Sequence, residues 1–362
     1  MVEWKKLGDV CKVLRGKRLT KSQLSETDGY PVLHGGSTPM GFYSEYNRKA
    51  NTTVVVNTGN AGSVFFYNKE FWSSDACFSL YPNNEIIDKF LYLYVYGCEN
   101  ILKGKIRAGA MPTIDSNAVE SLIIPIPSLS EQTRIVGILD TFTASIDNLK
   151  QQIAQRRKQY EYYRDQLLNL EGKPGVEMKT LGEVCGIYDG THQTPNYKEF
   201  GIKFVSVENI KDVYSSCKYI SIEDYQNNYK TKPQKGDVLM TRIGDVGSCA
   251  VIDRDEPIAY YVSLALLRPS TDLVLSNYVK YILESKTGKI ELRKRTLLTA
   301  VPLKINLGDI GKIKLPFPSL SEQQRIVSIL DTFEDSIQNL EAQLKEREKQ
   351  YEYYRNKLLT FE

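Results

Sequence analysis

The sequence predicts an α+β protein in which two globular α/β domains are separated by two long helices packed as an antiparallel coiled coil, related by an internal pseudo-two-fold repeat. Three observations predict it. A 47-residue segment beginning "PIPSLSEQTRIVGILD" at Pro125 recurs without a gap as "PFPSLSEQQRIVSILD" from Pro316, with 31 identical positions. Both copies carry apolar residues at alternating steps of four and three, the period of a left-handed coiled coil. The segments outside these copies also share an order of motifs, so the chain reads as a tandem duplication of domain plus rod. The expected boundaries are 1–124 (first domain), 125–171 (central helix), 172–315 (second domain) and 316–362 (C-terminal helix).

Both domains open alike, with "LGDVC" from Leu7 and "LGEVC" from Leu181. Each then holds a strand, glycine turn, strand unit around G-x-x-G-S, "VVVNTGNAGSVFFY" from Val54 and "VLMTRIGDVGSCAV" from Val238. A helical stretch follows in each ("KFLYLYVYGCENILKG" and "NYVKYILESKTGKIEL"), and then a similar approach to the rod, "GAMP" and "TAVP". The glycine-rich stretches "HGGSTPMG" and "DGTHQTP" read equally as turn punctuation and as loops whose backbone approaches phosphates and base edges. "ELRKRT" from Glu291, and Lys103, Lys105 and Arg107, occupy equivalent places before the rods. They read as solvated charge or as phosphate contacts.

In the first rod the apolar seam runs Ile135, Leu139, Phe142, Ile146, Leu149, Ile153, Arg156, Tyr160, Tyr163, Leu167, Leu170, and the second repeats it from Ile326 to Phe361. Pro-Ser-x-x-Glu at each start (Ser128 with Glu131, Ser319 with Glu322) predicts a reciprocal cap. Arg156 and Arg347 hold equivalent seam positions, either setting register or reaching solvent. The string "KQYEYYR" closes both rods, at 158–164 and 349–355. Its tyrosines cover more than one helix face, which leaves a second contact surface.

Composition excludes much. The six cysteines form no CxxC pair and the histidines number two, so zinc-ligand spacing is absent and buried, reduced thiols are expected. No apolar run approaches a membrane span and the N-terminus lacks a signal-peptide pattern, which places the protein in the cytoplasm. The rods carry charges of 0 and −3 and the domains +2 and +4, a weak pointer to an anionic partner. No dinucleotide-binding glycine motif, P-loop, H-E-x-x-H or amino-methyltransferase signature appears, and two histidines leave little for acid-base catalysis. A binding protein is expected, without a cofactor or metal of its own; the rivals are a protein-binding scaffold and an autonomous enzyme.

Two divergent domains, each followed by a near-identical helix opening "P-[IF]-P-S-L-S-E-Q-x-R-I-V-x-I-L-D", closely resemble the specificity (S) subunit of type I restriction-modification systems. The resemblance covers essentially the whole chain. It implies a non-catalytic, sequence-specific DNA-binding subunit in which each domain reads one half of a bipartite, asymmetric target and the helices set the gap. It further implies docking of two modification subunits, which bind S-adenosylmethionine and methylate adenine; restriction subunits can join them. By residue type and loop context the expected DNA contacts are Arg18, His34, Ser37, Asn60, Lys105 and Arg107 in the first domain. In the second they are Thr191, His192, Gln193, Arg242, Asp245, Arg293 and Arg295. Tyr162, Arg164, Tyr353 and Arg355 are expected to face the partner subunits.

Overall fold

The computed structural model describes residues 2–36, 38–107 and 109–361. The first repeat comprises β1 (Glu3–Lys6), α1 (Leu7–Val10), β2 (Cys11–Arg15), β3 (Tyr30–Leu33), β4 (Phe42–Tyr43), β5 (Thr52–Val56), β6 (Val64–Tyr67), β7 (Trp72–Ser73), β8 (Cys77–Pro82), α2 (Asp88–Gly97), α3 (Glu99–Lys103), α4 (Ser116–Glu120), β9 (Ile123–Ile126) and the long α5 (Leu129–Leu167). The second comprises β10 (Glu177–Thr180), α6 (Leu181–Val184), β11 (Cys185–Asp189), β12 (Ile202–Val205), β13 (Tyr219–Ile220), α7 (Ile222–Asn228), β14 (Val238–Thr241), β15 (Cys249–Val251), β16 (Ile258–Tyr260), β17 (Leu264–Pro269), α8 (Ser276–Glu284), α9 (Lys286–Arg295), α10 (Leu307–Ile310), β18 (Lys314–Phe317) and the long α11 (Leu320–Leu359).

The chain forms two compact units, residues 1–150 with 342–362, and residues 151–341. Each therefore holds one domain, the first part of the rod that follows it and the last part of the other rod. Their sheets correspond strand for strand: β2-β8-β5-β6 with β4-β3-β7 in the first, and β11-β17-β14-β15 with β13-β12-β16 in the second. In each domain the shared G-x-x-G-S segment is an antiparallel hairpin, β5 with β6 and β14 with β15. Its turn needs glycine, because Gly59, Gly62, Gly244 and Gly247 all have φ between 81° and 103°, where a Cβ clashes with the backbone. The helical stretches break at Cys98 and Ser285, giving α2 then α3 and α8 then α9. Two-stranded ribbons, β1 with β9 and β10 with β18, lead into the rods, so the expected edges at 124 and 315 fall inside strands β9 and β18.

Each rod start is latched to its own domain by a residue that periodicity did not single out. The side chain of Gln132 is fully buried, accepts from the Ile87 amide at 2.8 Å, and donates to the carbonyls of Glu85 at 2.8 Å and Pro127 at 2.9 Å. Gln323 repeats this arrangement with the Leu275 amide at 3.0 Å and the carbonyls of Leu273 and Pro318 at 3.0 and 2.9 Å. The caps are simpler than expected. Ser128 and Ser319 accept from the amides of Glu131 and Glu322. The two carboxylates, however, turn to grip Arg134 and Arg325, one turn along, instead of reaching back.

Within each unit the two rods run antiparallel. In the first, Phe142 stacks on Tyr354 with ring centroids 5.3 Å apart, and Lys150 pairs with Glu348 at 3.3 Å. In the second, Phe333 stacks on Tyr163 at 5.5 Å, and Arg157 pairs with Glu341 at 2.5 Å. Each phenylalanine also carries a seam arginine: Arg347 lies 5.6 Å from the Phe142 centroid and Arg156 lies 5.9 Å from that of Phe333. The two seam charges thus rest on aromatic faces, where the ring quadrupole attracts a cation. One guanidinium, phenylalanine, tyrosine stack occurs in each unit and fixes the local register.

Candidate nucleic-acid interface

At one end of the first domain three loops are tied together by backbone bonds. The loop after β3 lies so close to the β5–β6 turn that a Cβ on Gly35 would sit 1.8 Å from the Thr58 carbonyl oxygen. The Asn60 amide donates to the Gly35 carbonyl at 3.1 Å, and the Gly59 amide donates to Pro112 at 3.3 Å. The segment after α3 joins them through a bridge between Thr58 and Thr113, and Ile114 donates to Asn57 at 2.9 Å. Glycine is required here because the chain approaches itself.

Of the residues expected here, Asn60 is exposed on the turn and His34 is half-buried, its Nδ1 accepting from the Gly36 amide at 3.2 Å. Arg107 is exposed and ion-paired with Asp115. Lys105 reaches back to Ser121 Oγ at 2.9 Å, so its ammonium is partly engaged by its own domain. Arg18 is exposed just past β2, where a Cβ on the preceding Gly16 would lie 2.1 Å from the Ser74 carbonyl oxygen. Ser37 lies outside the described residues.

The second domain repeats the ties between the hairpin turn and the segment before the rod. Gly244 donates to the Leu303 carbonyl at 2.7 Å, Ile305 donates to Arg242 at 3.0 Å, and Ile243 bridges Lys304. Gly190, topologically equivalent to Gly16, admits no Cβ, since one would lie 2.5 Å from the Tyr261 carbonyl carbon. The loop it opens carries Thr191, His192 and Gln193, with His192 Nε2 2.8 Å from Asp189 Oδ2. Gln193 is exposed, and so is Asp245, which accepts from Ser248 Oγ at 2.6 Å. Arg293 is exposed on the last turn of α9, whereas Arg295 is held by Glu291 at 2.8 Å.

Arg242 departs from expectation. Its side chain is buried, with Nη2 3.0 Å from Asp189 Oδ1 and Nε donating to the Val262 carbonyl at 2.7 Å. The edge formed by Nε and Nη2 is thus committed inside the domain. It fastens the loop after β11 to the hairpin after β14, and Asp189, which sequence reasoning passed over, is the acceptor that holds both Arg242 and His192.

At the rod ends, Tyr162 and Tyr353 are the expected outward residues, 61% and 60% exposed. Arg164 departs from expectation. It is buried, its guanidinium 3.0 Å from Asp165 Oδ1 and 5.5 Å from the Tyr160 ring, while Asp165 also accepts from the Lys286 amide at the start of α9. Arg355 is likewise drawn inward, over the rings of Tyr96 and Tyr351. Tyr163 and Tyr354, placed in the seam by period, do stack on Phe333 and Phe142 of the facing rod, and stay 47% and 40% exposed there. From Tyr160 the buried positions advance by four, to Arg164 and Leu168, because a helix of 3.6 residues per turn drifts off a 3.5 repeat and here follows its own domain.

The sequence and the fold correspond to known proteins. The family model for the type I restriction modification DNA specificity domain matches residues 1–156 and again 174–348. The chain belongs to this family. As a type I specificity subunit it is a non-catalytic, DNA-recognising component. It is 30% identical to the EcoR124I/EcoR124II specificity subunit of Escherichia coli, over 99% of this chain and 94% of that one. It is 26% identical to the MjaVIII specificity subunit of Methanocaldococcus jannaschii, over 98% and 91%. In fold it resembles the crystal structure of the S subunit from M. genitalium, with a TM-score of 0.67 and 18% identity, covering 100% of this chain and 97% of that one.

Among the described residues no group of three His, Cys, Asp or Glu side chains is placed to hold a metal, and no helix is long and apolar enough to cross a membrane. Burial pushes the thiols of Cys11, Cys77 and Cys185 up to about 12 and that of Cys98 to about 11, so these are core residues, not nucleophiles.

Proposed function

We propose that each loop cluster of this specificity subunit reads one half of a bipartite, asymmetric DNA target in the cytoplasm, and that α5 and α11 set the gap and dock two methyltransferase subunits. The observation that carries this reading is a contrast within one chain. The backbone ties between the hairpin turn and the segment that precedes the rod recur in both domains, whereas the side chains exposed around them differ: Asn60, Arg107 and Arg18 in one, His192, Gln193, Asp245 and Arg293 in the other. Shared scaffolding with divergent polar tips is what two readers of different base sequences require. The rods do the reverse at "KQYEYYR", which is identical in both, so Tyr162 and Tyr353 offer the same side chain twice, as two identical partners would need.

Lys105, Arg107 and Arg293 are assigned to phosphate, and the amide, imidazole and carboxylate groups to base edges. The subunit holds no cofactor in this reading; S-adenosylmethionine sits on the methyltransferase, and restriction subunits join the same complex. The test is to replace residues 178–312 with the corresponding domain of another specificity subunit and to sequence modified adenines in the host DNA. One half of the methylated sequence should change and the other should persist; a methylome with both halves unchanged sinks the proposal.

A further inference from the structure

The loop that follows α9 carries four aliphatic side chains in water: Leu297, Leu298, Val301 and Leu303 are 40%, 55%, 99% and 41% exposed. Single exposed aliphatics are ordinary, but four within seven residues form a patch that calls for a covering surface. The loop is closed like a finger, since the Leu297 amide donates to Lys304 at 2.8 Å and Ala300 donates to Leu297 at 3.2 Å. It is also fastened to the candidate reading site, through the Gly244 to Leu303 bond at 2.7 Å and the Ile243–Lys304 bridge.

Charge indicates what covers it. Arg293 stands before the finger and Lys304 closes it, both exposed, and among the described residues neither has a carboxylate partner. Apolar tips framed by unpaired cations suit a polyanion with apolar features between its charges, which describes a DNA groove with thymine methyl groups and base edges on its floor. In the first domain the equivalent loop carries one such residue, Met111, 66% exposed and tied in by the Pro112 carbonyl.

We propose that the 297–304 finger enters a DNA groove and sets Leu298 and Val301 against base edges of the half-site read by the second domain. This rests on the DNA-reading role proposed above. The test uses the subunit assembled with its methyltransferase partner and measures affinity for cognate and scrambled duplexes over a salt series. Leu298→Ser with Val301→Ser should weaken cognate binding about tenfold while leaving the salt slope unchanged, because no phosphate contact is lost. Arg293→Gln should instead reduce the slope by about one. The proposal is overturned if the double variant binds cognate DNA as wild type does, if it loses cognate and scrambled binding equally, or if it fails to assemble with the methyltransferase, which would make the finger a protein interface. A wild-type complex with no preference between the duplexes would overturn the DNA-reading role itself. Equal thermal melting of variant and wild type excludes a folding defect.

Discussion

Truncating Gln132 to alanine tests whether the first rod is seated by its polar latch. The substitution removes three hydrogen bonds and strands the Ile87 amide and the carbonyls of Glu85 and Pro127 where the glutamine is fully buried. At about 1 kcal/mol net per bond, with part of the desolvation penalty of each stranded group added, the loss is roughly 3–5 kcal/mol. In a unit of this size that corresponds to a fall of about 10 °C in Tm. The protein supplies its own reporter, since both tryptophans, Trp4 and Trp72, lie in the first unit. Urea unfolding followed by tryptophan fluorescence should therefore show Gln132→Ala shifted, while Gln323→Ala shifts far-UV circular dichroism and leaves the fluorescence midpoint in place. A Gln132→Ala fluorescence midpoint within about 1 kcal/mol of wild type would refute the latch.

Three further outcomes are expected. Phe142→Ala should cost about 2 kcal/mol, and a double-mutant cycle with Tyr354→Ala should return a coupling of about 1 kcal/mol for the stacked pair; a coupling near zero would show that the rings merely adjoin. Burial raises the Glu284 carboxyl above its ordinary range, so the native state favours its protonated form, and the stability this contributes below the unfolded value is lost as pH rises through the folded one. Glu284→Gln, which keeps an acceptor for the Cys249 amide 2.9 Å away, should therefore gain in Tm relative to wild type on moving from pH 4 to pH 8, and a constant difference would contradict this. Maleimide should label Cys217 alone in the native protein, the other five cysteines being buried, with mass spectrometry of the tryptic peptides as the check.

The sequence by itself determined the duplication, the two rods, the paired hairpins and the family, because each is local or repeated. A 3.5 period and a G-x-x-G turn are written in neighbouring residues, and a second copy distinguishes pattern from chance. It also placed Asn60 and His192 on loops that the structure leaves exposed. What it could not determine was which polar groups the fold would turn inward. Gln132 and Gln323 stand identically in both "LSEQ" strings, a signal that was visible, but their role depends on carbonyls some 50 residues away in sequence that only packing brings near. Arg242 stands on a turn that reads as exposed, and it is Asp189, from another strand, that draws its guanidinium inward. The same holds in "KQYEYYR": period assigns Tyr163 to the seam, where it stacks on Phe333, and Arg164 to the surface, but the tertiary structure buries Arg164 as well, because a helix turns inward the face its neighbours can bury, and those neighbours come from elements far along the chain.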